Sequence, residues 1–238
     1  MRKPGAFIVT VFAMIAFTEI HPIHQAAAHP DGQGGKYILT IGDSNGAGVG
    51  KWPDKLQEVL GEQYKIVNNS ESGRTIGFDN LGKETLNTLK QIDHILNAAV
   101  EENSGDAFAM VLICLGTNDC KAIFDSLQAE VTPNLAKLVE KITAFDFPDK
   151  NRPGVIIISP PPYGRASANT PKYQGADKRV AKLLPQFRDM AEKMHLGFID
   201  LYSPLIDVVD EYTVDGVHFT EEGYDLIARL IASSIVND

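Results

Sequence analysis

Five short apolar runs, at 37–41, 65–68, 108–115, 155–159 and 197–201, constrain this chain more than any other feature. Each is bounded by Gly, Asn, Asp or Pro, and several are continuous rather than alternating. A strand needs a continuous apolar run only when both of its faces are covered. Between the runs, apolar residues recur every three or four positions: Leu86, Leu89, Ile92, Ile95, Leu96 and Ala99; Leu135, Leu138, Val139 and Ile142; Val180, Leu183, Leu184 and Phe187; Tyr224, Ile227, Ala228, Ile231 and Ile235. That spacing puts one apolar stripe on each of several helices. Alternating strands and helices predict a parallel sheet with helices on both faces, here an α/β/α three-layer sandwich of five strands in the flavodoxin-like manner. In such open sheets ligands bind beyond the carboxyl ends of the strands. The Pro/Gly/Ser-rich segment PPPYGRASANTPKYQG, 160–175, follows the fourth run and is therefore expected at that edge.

The first residues follow a different logic. Arg2 and Lys3 precede an apolar stretch at 6–17, and Ala26-Ala27-Ala28 follows it after a polar segment. Two positive charges, about a dozen apolar residues and a small-residue site make up a secretory signal peptide, and a membrane span needs roughly 20 residues. Residues 1–28 are expected to be removed, leaving 29–238 as one domain exported to a periplasm or beyond the cell. The formal net charge of −9 disfavours nucleic acid and anionic lipid, which are both bound by neutralisation with Lys and Arg. No nucleic-acid partner and no stable membrane association are expected. The two cysteines, Cys114 and Cys120, are too few for a disulfide scaffold and lack zinc-ligand spacing. Because Cys114 lies inside an apolar run, free buried thiols are expected.

The stretch YILTIGDSNGAGVGKW, 37–52, admits two chemistries. A phosphate loop requires Gly-x-x-x-x-Gly-Lys-Ser/Thr, but read back from Gly50-Lys51 its ends fall on Asn45 and Trp52. A dinucleotide pattern starting at Gly46 needs a glycine where Lys51 stands, and one starting at Gly48 meets Pro53. The other chemistry is nucleophilic. A serine hydroxyl needs a base to take its proton and a positive field to hold the oxyanion it creates. Ser44 follows the first strand, Gly73 in SESGRT the second and Asn118 in LGTND the third, while Asp215 and His218 stand in DGVH before the last helix.

Gly-Asp-Ser, then Gly, then Gly-x-Asn-Asp and finally Asp-x-x-His, in that order, resembles the SGNH (GDSL-type) hydrolase family of serine esterases. The resemblance runs from Tyr37 to the C-terminus, and GTNDCKAIF, IIISPPP and DGVHFTEEGY are most similar to its arylesterase and acyltransferase branch. Asn45 departs from the family's usual Leu after the serine. The resemblance implies Ser44 as nucleophile, His218 as general base and acid, and Asp215 as the group orienting the imidazole. It also implies an oxyanion hole made of the Ser44 and Gly73 amides and the Asn118 side chain. No metal or organic cofactor is implied. A short-chain acyl ester, with an acetylated carbohydrate favoured by export, is the expected small-molecule substrate, and acyl transfer is a possible companion activity. The rival from another class is a catalytically silent carbohydrate-binding or surface-interaction module on the same fold.

Three further residues stand near the motifs. Trp52 either walls an acyl or alcohol pocket or packs at a helix start. Arg74 meets substrate or, in preference, pairs with a carboxylate such as Asp119. Tyr163 in the long loop is a candidate pocket residue. Asp43 reads as structural, bonding loop amides.

Overall fold

The computed structural model describes residues 36–150 and 152–236, so the expected signal peptide, 1–28, lies outside the described residues. Five parallel strands form one sheet: β1 Lys36–Gly42, β2 Tyr64–Asn68, β3 Phe108–Cys114, β4 Gly154–Ile158 and β5 Gly197–Ile199, in the order β2-β1-β3-β4-β5. This is the flavodoxin-like order, with the first crossover running one way and the later ones the other. The helices are α1 Trp52–Leu60, α2 Thr88–Glu102, α3 Gln128–Ala144, α4 Ala176–Lys193, the short α5 Tyr202–Leu205 and α6 Val209–Tyr212, and α7 Glu221–Val236. None among the described residues is long and apolar enough to cross a membrane.

The continuous apolar strands divide by their two-residue period. Leu39, Ile41, Val111, Ile113, Val155 and Ile157 pack with the stripes of α2, α3 and α4, including Ile92, Leu135, Val139, Val180 and Phe187. Ile38, Leu112, Cys114, Ile156 and Ile158 face the other way, onto Leu56 of α1 and Tyr224, Ile227 and Ile231 of α7. Each fully buried aliphatic side chain contributes about 1.5–3 kcal/mol relative to exposure, so the two cores hold the sandwich from both sides of one sheet. The same division separates the cysteines: Cys114 belongs to the α1/α7 core and Cys120 to the other, and both are free and buried.

One expected helix begins later than its apolar periodicity suggests. Leu86 lies in a 3₁₀ turn at Glu84–Leu86, and α2 starts at Thr88 because Asn87 caps it, its side chain accepting from the Lys90 amide. An Asn side chain satisfying an otherwise unpaired amide fixes a helix start more sharply than a hydrophobic stripe does. The 160–175 segment forms two 3₁₀ turns, Arg165–Asn169 and Pro171–Tyr173, after β4. Since all strands run parallel, the segments after β1, β2, β3 and β4 leave the sheet at one edge.

Candidate active site

Ser44 sits in a turn directly beyond β1. The amides of Gly46 and Ala47 donate to the Asp43 carbonyl at 3.0 and 2.9 Å, and the Asn45 amide donates to Asp43 Oδ1 at 2.9 Å. These bonds close a tight loop with the serine at its apex, well ahead of the first helix at Trp52. Asp43 is buried, and burial raises its carboxyl above the ordinary range despite the Asn45 bond. Asn45 is buried as well. Its Oδ1 accepts from the Tyr224 hydroxyl at 3.2 Å, tying the serine turn to α7. The departure from the family's usual Leu therefore adds a polar anchor beneath the turn.

The histidine arrives from the far end of the chain. A bridge between Thr213 and Phe219, with the Val214 amide donating to the His218 carbonyl at 2.9 Å, pinches 213–219 into a loop. Gly216 sits at φ 78°, and a Cβ there would lie 2.4 Å from the Ser167 amide nitrogen. Glycine is required at that point because the loop rests on the 160–175 segment, where the Gly164 amide donates to the Gly216 carbonyl at 2.8 Å. Within the loop, Asp215 Oδ1 accepts from the Val217 and His218 amides at 2.9 and 2.8 Å. Its Oδ2 lies 2.8 Å from His218 Nδ1. Partial burial pushes the Asp215 carboxyl up, but the His218 and Val217 bonds outweigh it and hold the group below its ordinary value. His218 Nε2 then lies 3.0 Å from Ser44 Oγ, across 174 residues of sequence. A continuous carboxylate–imidazole–hydroxyl chain results.

Two of the expected oxyanion donors, at Gly73 and Asn118, belong to loops that are bonded to each other. Gly73 adopts φ 89°, where a Cβ would press on Asn80 Nδ2 and Leu86 Cδ1 at 3.3 Å each. Its carbonyl accepts from Asn80 Nδ2 at 2.6 Å. Asn118 Nδ2 donates one hydrogen to the Arg74 carbonyl at 3.0 Å, which fixes the amide next to Gly73 and leaves its second hydrogen free. Among the hydrogen bonds of the described residues, neither the Ser44 nor the Gly73 amide donates. Two backbone N–H groups and one side-chain N–H therefore stand unspent, as donors kept for an oxyanion must.

Asp119, which the sequence offers only as an ion-pair partner for Arg74, braces these loops. It is fully buried, and both its oxygens accept from the Ile76 amide, at 3.0 and 3.1 Å. Burial pushes its carboxyl up to about 7, opposed mainly by the Ile76 bond. The adjacency of Asp119 to Asn118 was visible in the sequence, but its partner 43 residues away was not.

The three pocket candidates are placed elsewhere. Trp52 is 1% exposed and packs in the α1/α7 core, since the chain turns inward as α1 begins. Arg74 is 5% exposed, and its guanidinium pairs with Glu71 at 3.2 Å, not with Asp119, and donates to the Asn69 carbonyl. Tyr163 is 6% exposed, and its hydroxyl donates to the Thr117 carbonyl at 2.6 Å, pinning the Asn118 loop from behind.

A doubly covered parallel sheet carrying a Ser–His–Asp chain at its carboxyl edge defines an α/β protein built in the manner of the serine hydrolases. The chain belongs to the GDSL-like lipase/acylhydrolase family, whose model matches residues 40–226. It is similar to an acetylxylan esterase of Xylanibacter ruminicola, 24% identical over 198 residues, covering 77% of this chain and 38% of that protein's length. Among solved structures it resembles Est24, a carbohydrate acetylesterase from Sinorhizobium meliloti, with a TM-score of 0.71 at 20% identity, covering 85% of this chain and 99% of that one. An aryl esterase of M. smegmatis superposes with a TM-score of 0.69 at 22% identity, covering 85% and 99% of the two chains.

Proposed function

We propose that this protein is an exported serine esterase that removes short acyl groups, acetyl esters of carbohydrates foremost, through an acyl-serine intermediate. The observation that carries this reading is the unbroken chain from Asp215 through His218 to Ser44, with contacts of 2.8 and 3.0 Å. In the first half-reaction Ser44 Oγ attacks the ester carbonyl as its proton passes to His218 Nε2. The oxyanion takes hydrogen bonds from the Ser44 and Gly73 amides and from Asn118 Nδ2. Collapse breaks the carbonyl–alkoxy bond, and the proton on His218 leaves with the alcohol. Water then repeats the sequence, giving the free acid and regenerating the serine; an alcohol in place of water gives acyl transfer. Asp215, kept ionised by its bonds, holds Nδ1 protonated so that Nε2 is the basic nitrogen.

The acetyl and carbohydrate assignment draws on the likeness to an acetylxylan esterase and to the carbohydrate acetylesterase Est24. Export draws on the charged and apolar pattern of residues 1–28. Turnover of p-nitrophenyl acetate through octanoate tests the esterase reading, with activity expected to peak at acetate; no turnover of any chain length refutes it. Fluorophosphonate labelling separates the enzyme from a silent binding module, because only an activated Ser44 reacts. Mass spectrometry of the exported protein should find His29 at its N-terminus.

A further inference from the structure

Tyr224 touches both halves of the catalytic edge. It lies in the first turn of α7, buried in the core that this helix shares with α1. Its hydroxyl donates to Asn45 Oδ1 at 3.2 Å, and Asn45 directly follows Ser44. Its ring meets that of Phe219 at a tilt, with centroids 6.1 Å apart, and Phe219 directly follows His218. Phe219 is buried as well, and the Tyr224 amide donates to the Thr220 carbonyl at 3.0 Å, so ring and histidine loop keep a fixed spacing.

A third residue holds the tyrosine itself. Lys51, just ahead of α1, donates from Nζ to the Tyr224 hydroxyl at 3.0 Å and stands 4.5 Å from the ring centroid. An ammonium can only donate. The phenolic oxygen therefore accepts from Lys51, and its one proton is left for Asn45. The other end of the same Asn45 amide, Nδ2, is buried with no hydrogen-bond partner among the described residues. A buried donor left unsatisfied is costly, and such a cost in a native fold asks for a role that offsets it.

We propose that Tyr224 is a positioning residue for ester cleavage: it sets the separation of Ser44 and His218 by holding the residue after each, Asn45 through its hydroxyl and Phe219 through its ring. The serine turn closes on Asp43 and the histidine loop on Asp215, which fixes the shape of each but not the distance between them. Proton transfer across the 3.0 Å gap from Oγ to Nε2 depends on that distance. Tyr224 supplies a contact to both sides of it.

This inference rests on the esterase reading, and its test keeps the two apart. Turnover of p-nitrophenyl acetate is measured for wild type, Tyr224→Phe, Asn45→Ala and the double variant, each expressed per serine titrated with a fluorophosphonate. A residue that only stabilised the fold would change the number of titrated serines and not the rate at each. Tyr224→Phe keeps the ring against Phe219 and should lower kcat about tenfold with KM within about twofold, since small misplacements of reacting groups act on that scale. Asn45→Ala removes the bond from Tyr224 and no other side-chain hydrogen bond among the described residues, and should give a similar loss. Because both variants remove one shared contact, the double variant should again lose about tenfold rather than about a hundredfold. An unchanged kcat per serine in either single variant, a loss confined to KM, or losses that multiply in the double variant overturn the positioning role while the esterase reading stands. If Tyr224→Phe does not fold, Asn45→Ala decides alone, and an unchanged rate there refutes the role. A wild-type protein that neither turns over the ester nor labels removes both.

Discussion

The two halves of the catalytic edge are built on opposite principles. The nucleophile and oxyanion half is interior: Asp43, Asn45, Asn118 and Asp119 are all buried, and its bonds join loops 43 and 44 residues apart. The base half is local and partly wet. The Asp215 and His218 side chains are 50% and 35% exposed, and among the described residues Asp215 bonds only to residues two and three positions ahead. The difference teaches where precision is needed. Donors for a developing oxyanion must be stationary before the reaction, so they are set in packed walls. An imidazole that takes and returns a proton needs only the right tautomer and reach, which a short hydrogen-bonded loop supplies.

Substitutions put this contrast to the test. The largest effect is expected from Ser44→Ala, which should lower kcat by about 10⁴-fold or more and abolish fluorophosphonate labelling. Its melting temperature should match wild type, because the serine turn is held by Asp43 and Asn45 rather than by the hydroxyl. Next, Asn118→Ala should cost about 10²–10³-fold in kcat with KM little altered, the loss expected for one oxyanion donor. An effect confined to KM would take Asn118 out of the transition state.

A direct comparison of the two carboxylates comes third, read by urea unfolding. Asp119→Ala should destabilise the fold by about 1–3 kcal/mol, since it orphans buried backbone donors. Asp215→Ala, at a partly exposed loop, should stay within about 0.5 kcal/mol while activity collapses. If Asp215→Ala proved the more destabilising of the two, the contrast drawn above would be reversed.

The smallest effect is a slope with pH. Burial raises Asp119 to about 7 in the folded chain, above its unfolded value. Between roughly pH 4 and 7 the folded state therefore binds more protons than the unfolded one, and this group's contribution to stability falls as pH rises. Asp119→Asn cannot ionise and escapes that decline. Thermal unfolding at about pH 5 and about pH 8 should show the variant gaining on wild type at the higher pH; a constant difference would mean that Asp119 titrates in its ordinary range.

Much of this was legible beforehand. Strand positions followed from apolar runs of a length and continuity that only a doubly covered sheet accommodates, and the observed ends differ by a residue or two. Ser44, Gly73, Asn118, Asp215 and His218 stood out because each falls just beyond a strand or before the last helix. Trp52 and Arg74 were legible only as alternatives, of which packing and an ion pair are what the structure shows, and Tyr163 only as a candidate for the pocket. Each neighbours a motif, but sequence proximity says nothing about the side on which a large side chain finds its partners, and all three turn into the interior.

The order of apolar and polar residues alone determined the layers, the strand direction and the edge at which chemistry must lie, because periodicity and burial are properties of local sequence. Only the tertiary structure decided that Asp119 reaches Ile76, that Asn118 is held at Gly73's shoulder and that His218 closes on Ser44. Those contacts span dozens to more than a hundred residues, and it is the packing of two cores against one twisted sheet that brings the loops into register.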